Sequence, residues 1–277
     1  MLKSASQTGA GVKQMAAGIS QNAELLRAFA VDFLTCHNPE VARRIMHPGY
    51  CLSISGHLLS GREEQYLPAT VAQLDLFPGL CVTVHDVILA PDAVAMRFTE
   101  HGVSSREGKV SSWGGITLFR IQDGTLRQGW AEEDYYARKL QLRSGKVNTI
   151  RAPHPAPWDE VIHLPNSETE EAIRAWLTSP CNLICGVDEI SVGGPMLSDL
   201  IKVDIFEVST LFTAGNRGAF HGNILGKYIG GFPEIKDGDQ GKDMRIPVAV
   251  MADVIDGKVS NVQICADRLG TSRRLSS

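Results

Sequence analysis

The sequence predicts an α+β protein of two units, each a curved antiparallel sheet covered by helices, and three observations carry that expectation. Apolar residues first recur at helical spacing (Leu25, Leu26, Phe29, Phe33, Leu34), and from Leu80 to Asp134 they alternate with a period of two. One segment occurs twice: Asp123-Gly124 is followed by Asp134 and Asp256-Gly257 by Asp267, the copies standing 133 positions apart. Between the copies, prolines at 153, 155 and 157 favour an extended linker.

With 277 residues the chain is long enough for two units that each bury a core. Apolar residues make up 43% and charged residues 21%, ordinary globular usage that excludes disordered and fibrous classes. A net charge of −4 and a pI near 6.1 argue against a nucleic-acid partner, which needs clustered Lys and Arg. No segment approaches the apolar length of a membrane span, and the Ser-, Gly- and Ala-rich start lacks a signal-peptide core. Residues 1–19 therefore read as a mobile tail on a cytoplasmic protein. The six cysteines contain no Cys-x-x-Cys pair, so no metal site is expected.

In chain order, an amphipathic helix is expected over 20–35 behind a Ser20 cap, broken at His37-Asn38-Pro39, with a short helix to Met46. A strand spans Tyr50 to Ser55 and a third helix Gly61 to Leu76. Four strands follow, Leu80–Leu89, Ala93–His101, Val110–Ile121 and Thr125–Asp134, the last pair joined by an Asp-Gly turn suited to type I′. The first domain is placed at 20–143, the Pro-rich linker at 144–166 and a reduced second domain at 167–277. That second domain is expected to hold a helix over Glu168–Leu177 and strands near 198–210, 218–228, 245–255 and 258–266. The chain between its first helix and first long strand is too short for further helices like those of the first copy.

Strand alternation puts Trp130, Glu132 and Asp134 on one face and Ala131 and Glu133 on the other. Two carboxylates backed by an indole would form an acid/base pair if that face lines a pocket, since burial and repulsion raise a carboxyl pKa toward neutrality. The alternative reading is a solvated acidic strand end balanced by Arg138 and Lys139. Glu100 shares a face with Met96 and Phe98, and Arg97 and His101 share the other. His101, His57, Tyr50 and Trp113 are further polar or aromatic candidates, and Asp267 and His221 are those of the second unit. No GxGxxG unit, P-loop, GxSxG elbow or HExxH motif is present, so no cofactor is implied.

The wording of residues 24–142, including Leu59-Ser60-Gly61-Arg62-Glu63, Phe77-Pro78-Gly79 and Phe119 to Trp130 with Asp134, resembles the SnoaL-like polyketide cyclases of the nuclear transport factor 2-like superfamily. The resemblance implies cone-shaped units and cofactor-independent acid/base chemistry on a hydrophobic small molecule bearing a carbonyl or hydroxyl, of cyclase, isomerase, dehydratase or lyase type. It places the general acid/base on Asp134, and, for the superfamily's epoxide hydrolases, the working acid on Glu132. His101 is the third catalytic candidate; Tyr50, His57, Arg97, Glu100, Trp113 and Trp130 would contact substrate. Ser53 and Ser104 stand where the cyclases often carry His. The two units are expected to pack through their sheets as an internal pseudo-dimer, with a homodimer as a further option. A paired-carboxylate epoxide hydrolase and a non-catalytic ligand-binding protein remain as alternatives.

Overall fold

A computed structural model describes residues 21–147, 155–156, 163–191 and 193–276. The expected tail 1–19, its Ser20 cap and most of the Pro-rich linker lie outside the described residues.

The chain is mixed α+β with two curved sheets. Helix α1 runs over 21–27 and continues in wider-wound form through Ala28–Thr35. Asn38 then caps α2 (Pro39–Ile45) by accepting from the Glu40 amide at 3.1 Å, with Pro39 in the first turn where no amide is needed. Strands β1 (Met46–Ile54) and β2 (His57–Ser60) form a hairpin whose turn residues, Ser55 and Gly56, have φ of 52° and 77°. Helix α3 (Leu67–Leu76) follows, and then β3 (Cys81–Leu89), β4 (Ala93–Val103), β5 (Val110–Gln122) and β6 (Thr125–Glu133). The sheet order is β2-β1-β6-β5-β4-β3. The meander is antiparallel, but β1 arrives from the helical lid and joins β6 in parallel.

Helix α4 (Tyr135–Ser144) ends this part at Gly145, which takes the left-handed conformation. After it come α5 (Ser167–Leu177), the short β7 (Asp188–Glu189), α6 (Leu197–Leu200), β8 (Ile201–Ala214), β9 (Arg217–Tyr228), β10 (Asp243–Ile255), β11 (Lys258–Ala266) and α7 (Arg268–Ser276). The second sheet has the order β7-β11-β10-β9-β8. Strands β2 and β7 and helices α4, α6 and α7 are additions to the expected elements. Both Asp-Gly turns have the same geometry, with φ of 51° and 69° at Asp123 and Gly124 and of 50° and 71° at Asp256 and Gly257, as a type I′ hairpin requires. Among the described residues no helix is long and apolar enough to cross a membrane.

Three apolar clusters form. One lies between the first sheet and α1 to α3, and includes Phe29, Phe33, Tyr66, Phe98 and Phe119. A second fills the inner face of the second sheet, where Ile173 of α5 and Tyr136 of α4 pack with Phe220, Val250 and Ile264. Ile173 lies so close to β9 that a side chain on Gly218 would meet its Cδ1 at 2.3 Å. The third cluster lies between the sheets: Ala93, Ala95, Ile116 and Leu118 of the first meet Phe212, Ala219, Ala249 and Met251 of the second. The alanines let the two faces approach closely. Arg217 closes one edge, reaching Asp86 of β3 at 2.6 Å and Asp253 of β10 at 2.9 Å.

Candidate functional site

A cavity of about 730 Å³ opens between the first sheet and its helices. Its sheet wall is built from the inward positions of three strands, namely Phe98 and Glu100 of β4, Thr117 and Phe119 of β5, and Ala131 and Glu133 of β6. Phe29, Leu34, Leu52 and Tyr66 complete an apolar lining, so a charge inside is held away from bulk water.

The face of β6 that enters this cavity is opposite to the one the sequence suggested. A β-bulge sets it: Leu126 pairs with Ile121 while Gln128 pairs with Arg120, leaving Arg127 as an extra residue. Leu126 points into the core, and unbroken alternation from it would carry Trp130, Glu132 and Asp134 inward. The bulge reverses the parity, and Gly129, Ala131 and Glu133 face the cavity instead.

Glu133 and Glu100 form the acidic pair of the site. Each is buried, and they share a hydrogen bond. Burial and the charge of Glu133 push the Glu100 carboxyl well above the usual range. Burial raises Glu133 too, but the Trp113 indole donates to its Oε2 at 2.8 Å and the Arg138 guanidinium opposes the rise. Of the two carboxyls Glu100 is therefore the more strongly raised, and Glu133 is the one whose charge has support. Gln73 of α3 donates to Glu100 Oε2 at 3.2 Å and accepts from the Tyr135 hydroxyl at 3.2 Å. Arg138 is caged by aromatic rings, 4.1 Å from the Tyr135 centroid, 4.9 Å from Trp113 and 5.4 Å from Phe77.

Tyr50 also lines the cavity. Its buried hydroxyl has no hydrogen-bond partner, and it occupies space left by Gly129, whose Cβ would fall 2.2 Å from the oxygen. An unpartnered hydroxyl in an apolar wall is placed to donate to a ligand oxygen.

The other expected site residues go elsewhere. Asp134 is a helix cap: its Oδ1 accepts from the Ala137 amide at 3.2 Å, and Arg268 of α7 binds it in a buried ion pair. Asp267 repeats the arrangement for α7, accepting from the Gly270 amide at 2.8 Å and from Arg274 at 3.2 Å, and it also lines the cavity. The duplicated Asp thus caps the helix that follows each last strand. Glu132 lies between the sheets, 3.0 Å from His221 Nε2, and accepts from the Ser55 amide. Burial pushes the Glu132 carboxyl well up and the His221 imidazole down to about 4. Burial thus opposes charge on both partners of this contact. Trp130 shares the face of Glu132, and Arg97 reaches across to Asp188 of β7 at 3.4 Å. His101 is exposed on the outer face of β4. His57 is exposed at the cavity mouth, and Trp113 is buried behind Glu133. Among the described residues, no group of three or more His, Cys, Asp or Glu side chains is placed to hold a metal ion.

Sequence reasoning missed Glu133, Gln73, Tyr135 and Arg138. No spacing in the sequence marks them, because the inward face of β6 follows from its pairing with β5 and the bulge at Arg127.

Residues 24–142 match the family model described as SnoaL-like polyketide cyclase. Among solved structures, a candidate SnoaL-like polyketide cyclase from Jannaschia sp. CCS1 is similar over 44% of this chain and 92% of its own, at 24% identity and a TM-score of 0.42. IdmH from Streptomyces antibioticus is similar over 44% and 99%, at 20% identity and a TM-score of 0.40. TsrD from Streptomyces laurentii is similar over 46% and 95%, at 24% identity and a TM-score of 0.39. No curated protein matches the chain.

Proposed function

We propose that the protein is a cofactor-independent acid/base enzyme of cyclase or isomerase type, acting on a hydrophobic small molecule that bears a carbonyl group. The observation that carries this reading is the Glu100–Glu133 pair, two carboxyls buried together at the wall of a large cavity and both raised above the usual range. The match of residues 24–142 to SnoaL-like polyketide cyclases supports it.

Glu133 is the base. Its charge is held by the Trp113 N–H and Arg138, while burial keeps its basicity above that of an exposed carboxylate. It takes the proton from a carbon next to the carbonyl. Glu100, in its acid form, donates its proton to the carbonyl oxygen as negative charge develops there, which gives an enol. Tyr50 supplies a second donor toward oxygen. When Glu133 returns the proton to a different carbon and Glu100 regains the enol proton, the substrate is isomerised; when the enol carbon attacks a second carbonyl, Glu133 protonates the new alkoxide, Glu100 regains the enol proton and a ring closes. The second unit is a reduced copy whose inner face is filled by Ile173 of α5 and by Tyr136 of the first unit's α4, and the pair of units forms an internal pseudo-dimer. In this reading Asp134 and Glu132 hold the units together.

The test is α-proton exchange of aryl ketones in D₂O, followed by mass spectrometry. Glu133→Gln should lower enzyme-dependent exchange by about 10²-fold or more with an unchanged circular dichroism spectrum. Equal exchange by the variant and the native protein removes the mechanism. Ketone binding without exchange in either would leave a binding protein in its place.

A further inference from the structure

The cavity has a charge gradient that the acid pair does not explain. Its acidic residues Glu100, Glu133 and Asp267 are buried. The lining residues that reach solvent, Gly56, His57, Ala69, Arg273 and Arg274, mark its mouth between the β1–β2 turn, α3 and α7. The arginines belong to the second unit, so that unit builds part of the entrance to the first unit's cavity.

The two arginines differ in their engagements. Arg274 is held in place: it donates to Asp267 Oδ2 at 3.2 Å, to the Thr271 hydroxyl at 2.9 Å and to the carbonyls of Arg245 and Ser55. It clamps the Ser55-Gly56 turn against α7, with a Cβ on Gly56 falling 3.1 Å from its Nη1. Arg273, its neighbour in the last turn of α7, makes no hydrogen bond or ion pair among the described residues and also lines the cavity. An exposed guanidinium at the rim of an apolar cavity, its donors without a partner among the described residues, is suited to a planar anion.

We infer that the substrate is an amphipathic carboxylic acid, whose apolar body enters the cavity and whose carboxylate stays at the mouth on Arg273. This names the substrate class for the function proposed above and rests on that reading for the identity of the cavity. Arg273 is a specificity residue supplied by the second unit. It holds one end of the substrate while the acid pair acts on the carbonyl inside.

The test is binding by the full chain, measured by isothermal titration with 4-(2-naphthyl)butanoate, its neutral primary amide and the corresponding alkyl phosphate. The acid should bind at least about tenfold more tightly than the amide at low salt, with the advantage shrinking as salt rises. Arg273→Ala should bring acid and amide to equal affinity, Arg273→Lys should retain part of the preference, and Arg273→Glu should reverse it. Equal affinity of acid and amide for the native protein, binding of neither, or a preference that survives Arg273→Ala overturns the proposal. Tighter binding of the phosphate than of the acid also overturns it, by assigning the site to phosphorylated ligands. Glu133→Gln should keep the preference for the acid, so failure of the acid/base mechanism and failure of this inference give different results.

Discussion

Arg268 of α7 and Asp134 at the end of β6 form an ion pair in which the two side chains are 2% and 1% exposed. The same Asp134 oxygen caps α4, so one carboxylate ties the last strand of the first unit, its following helix and the last helix of the second. Asp134→Ala removes a cap worth about 1 kcal/mol and leaves a buried guanidinium uncompensated, a loss of about 3–5 kcal/mol. Asp134→Asn keeps a capping oxygen and should be the milder variant. Urea unfolding checks the order. Native stability in Asp134→Asn combined with a hundredfold loss of turnover would instead return the catalytic role to Asp134.

The His221–Glu132 contact predicts an acid limb of stability. Buried His221 has its pKa lowered from 6.5 to about 4, so the unfolded chain binds the proton first as pH falls. Its contribution is complete above 6.5 and is lost on the way down to about 4, a change of about 3 kcal/mol. The stability of His221→Gln relative to the native protein should rise by that amount over the same interval. Unfolding curves at a series of pH values measure the difference, and a constant difference would mean that His221 is protonated in the folded state.

Glu100 acts in the opposite direction. Its folded pKa lies above the ordinary carboxyl value of 4.5, so above that pH the native state holds a proton the unfolded chain has released. The contribution of Glu100 to native stability must therefore fall with rising pH, by up to about 1.4 kcal/mol per pH unit, until the raised pKa is passed. Glu100→Gln should match the native protein below pH 4.5 and become progressively more stable than it above. Thermal unfolding across the range tests this, and parallel curves would show an unperturbed Glu100.

What the sequence made legible followed from local rules. Asn38-Pro39 starts a helix, Asp-Gly closes both hairpins and alternation locates the meander, because each depends on neighbours along the chain. Glu100 was placed on one face with Met96 and Phe98 for the same reason. The choice of face on β6 depends on Arg127, an extra residue visible only when β5 lies alongside. Helix α4 was hidden because its charged residues Arg138 and Lys139 read as a solvated end, whereas Arg138 is half-buried against three rings and Tyr136 fills the core of the other unit. The basic mouth joins residues of β2 and α7, and no spacing rule connects segments so far apart.

Tyr50 gives the most direct separation of function from stability. Its hydroxyl is buried without a partner, and Tyr50→Phe removes that unsatisfied group while keeping the ring packed edge-on to Tyr66 at 4.9 Å. The ligand-free variant should be about 1 kcal/mol more stable than the native protein, while turnover of a ketone that needs the hydroxyl falls. Gly129→Ala probes the same spot from the other side. Its new methyl would meet the Tyr50 oxygen at 2.2 Å, and the forced shift of the ring should lose about 1–3 kcal/mol. In the double variant the remaining contacts are Leu52 Cδ1 at 3.0 Å and Tyr50 Cζ at 3.2 Å, so part of the loss should be recovered. A double-mutant cycle by urea unfolding reads the coupling. Additive effects would mean that the hydroxyl does not lie over Gly129, and a destabilised Tyr50→Phe would mean that it already has a partner in the ligand-free protein.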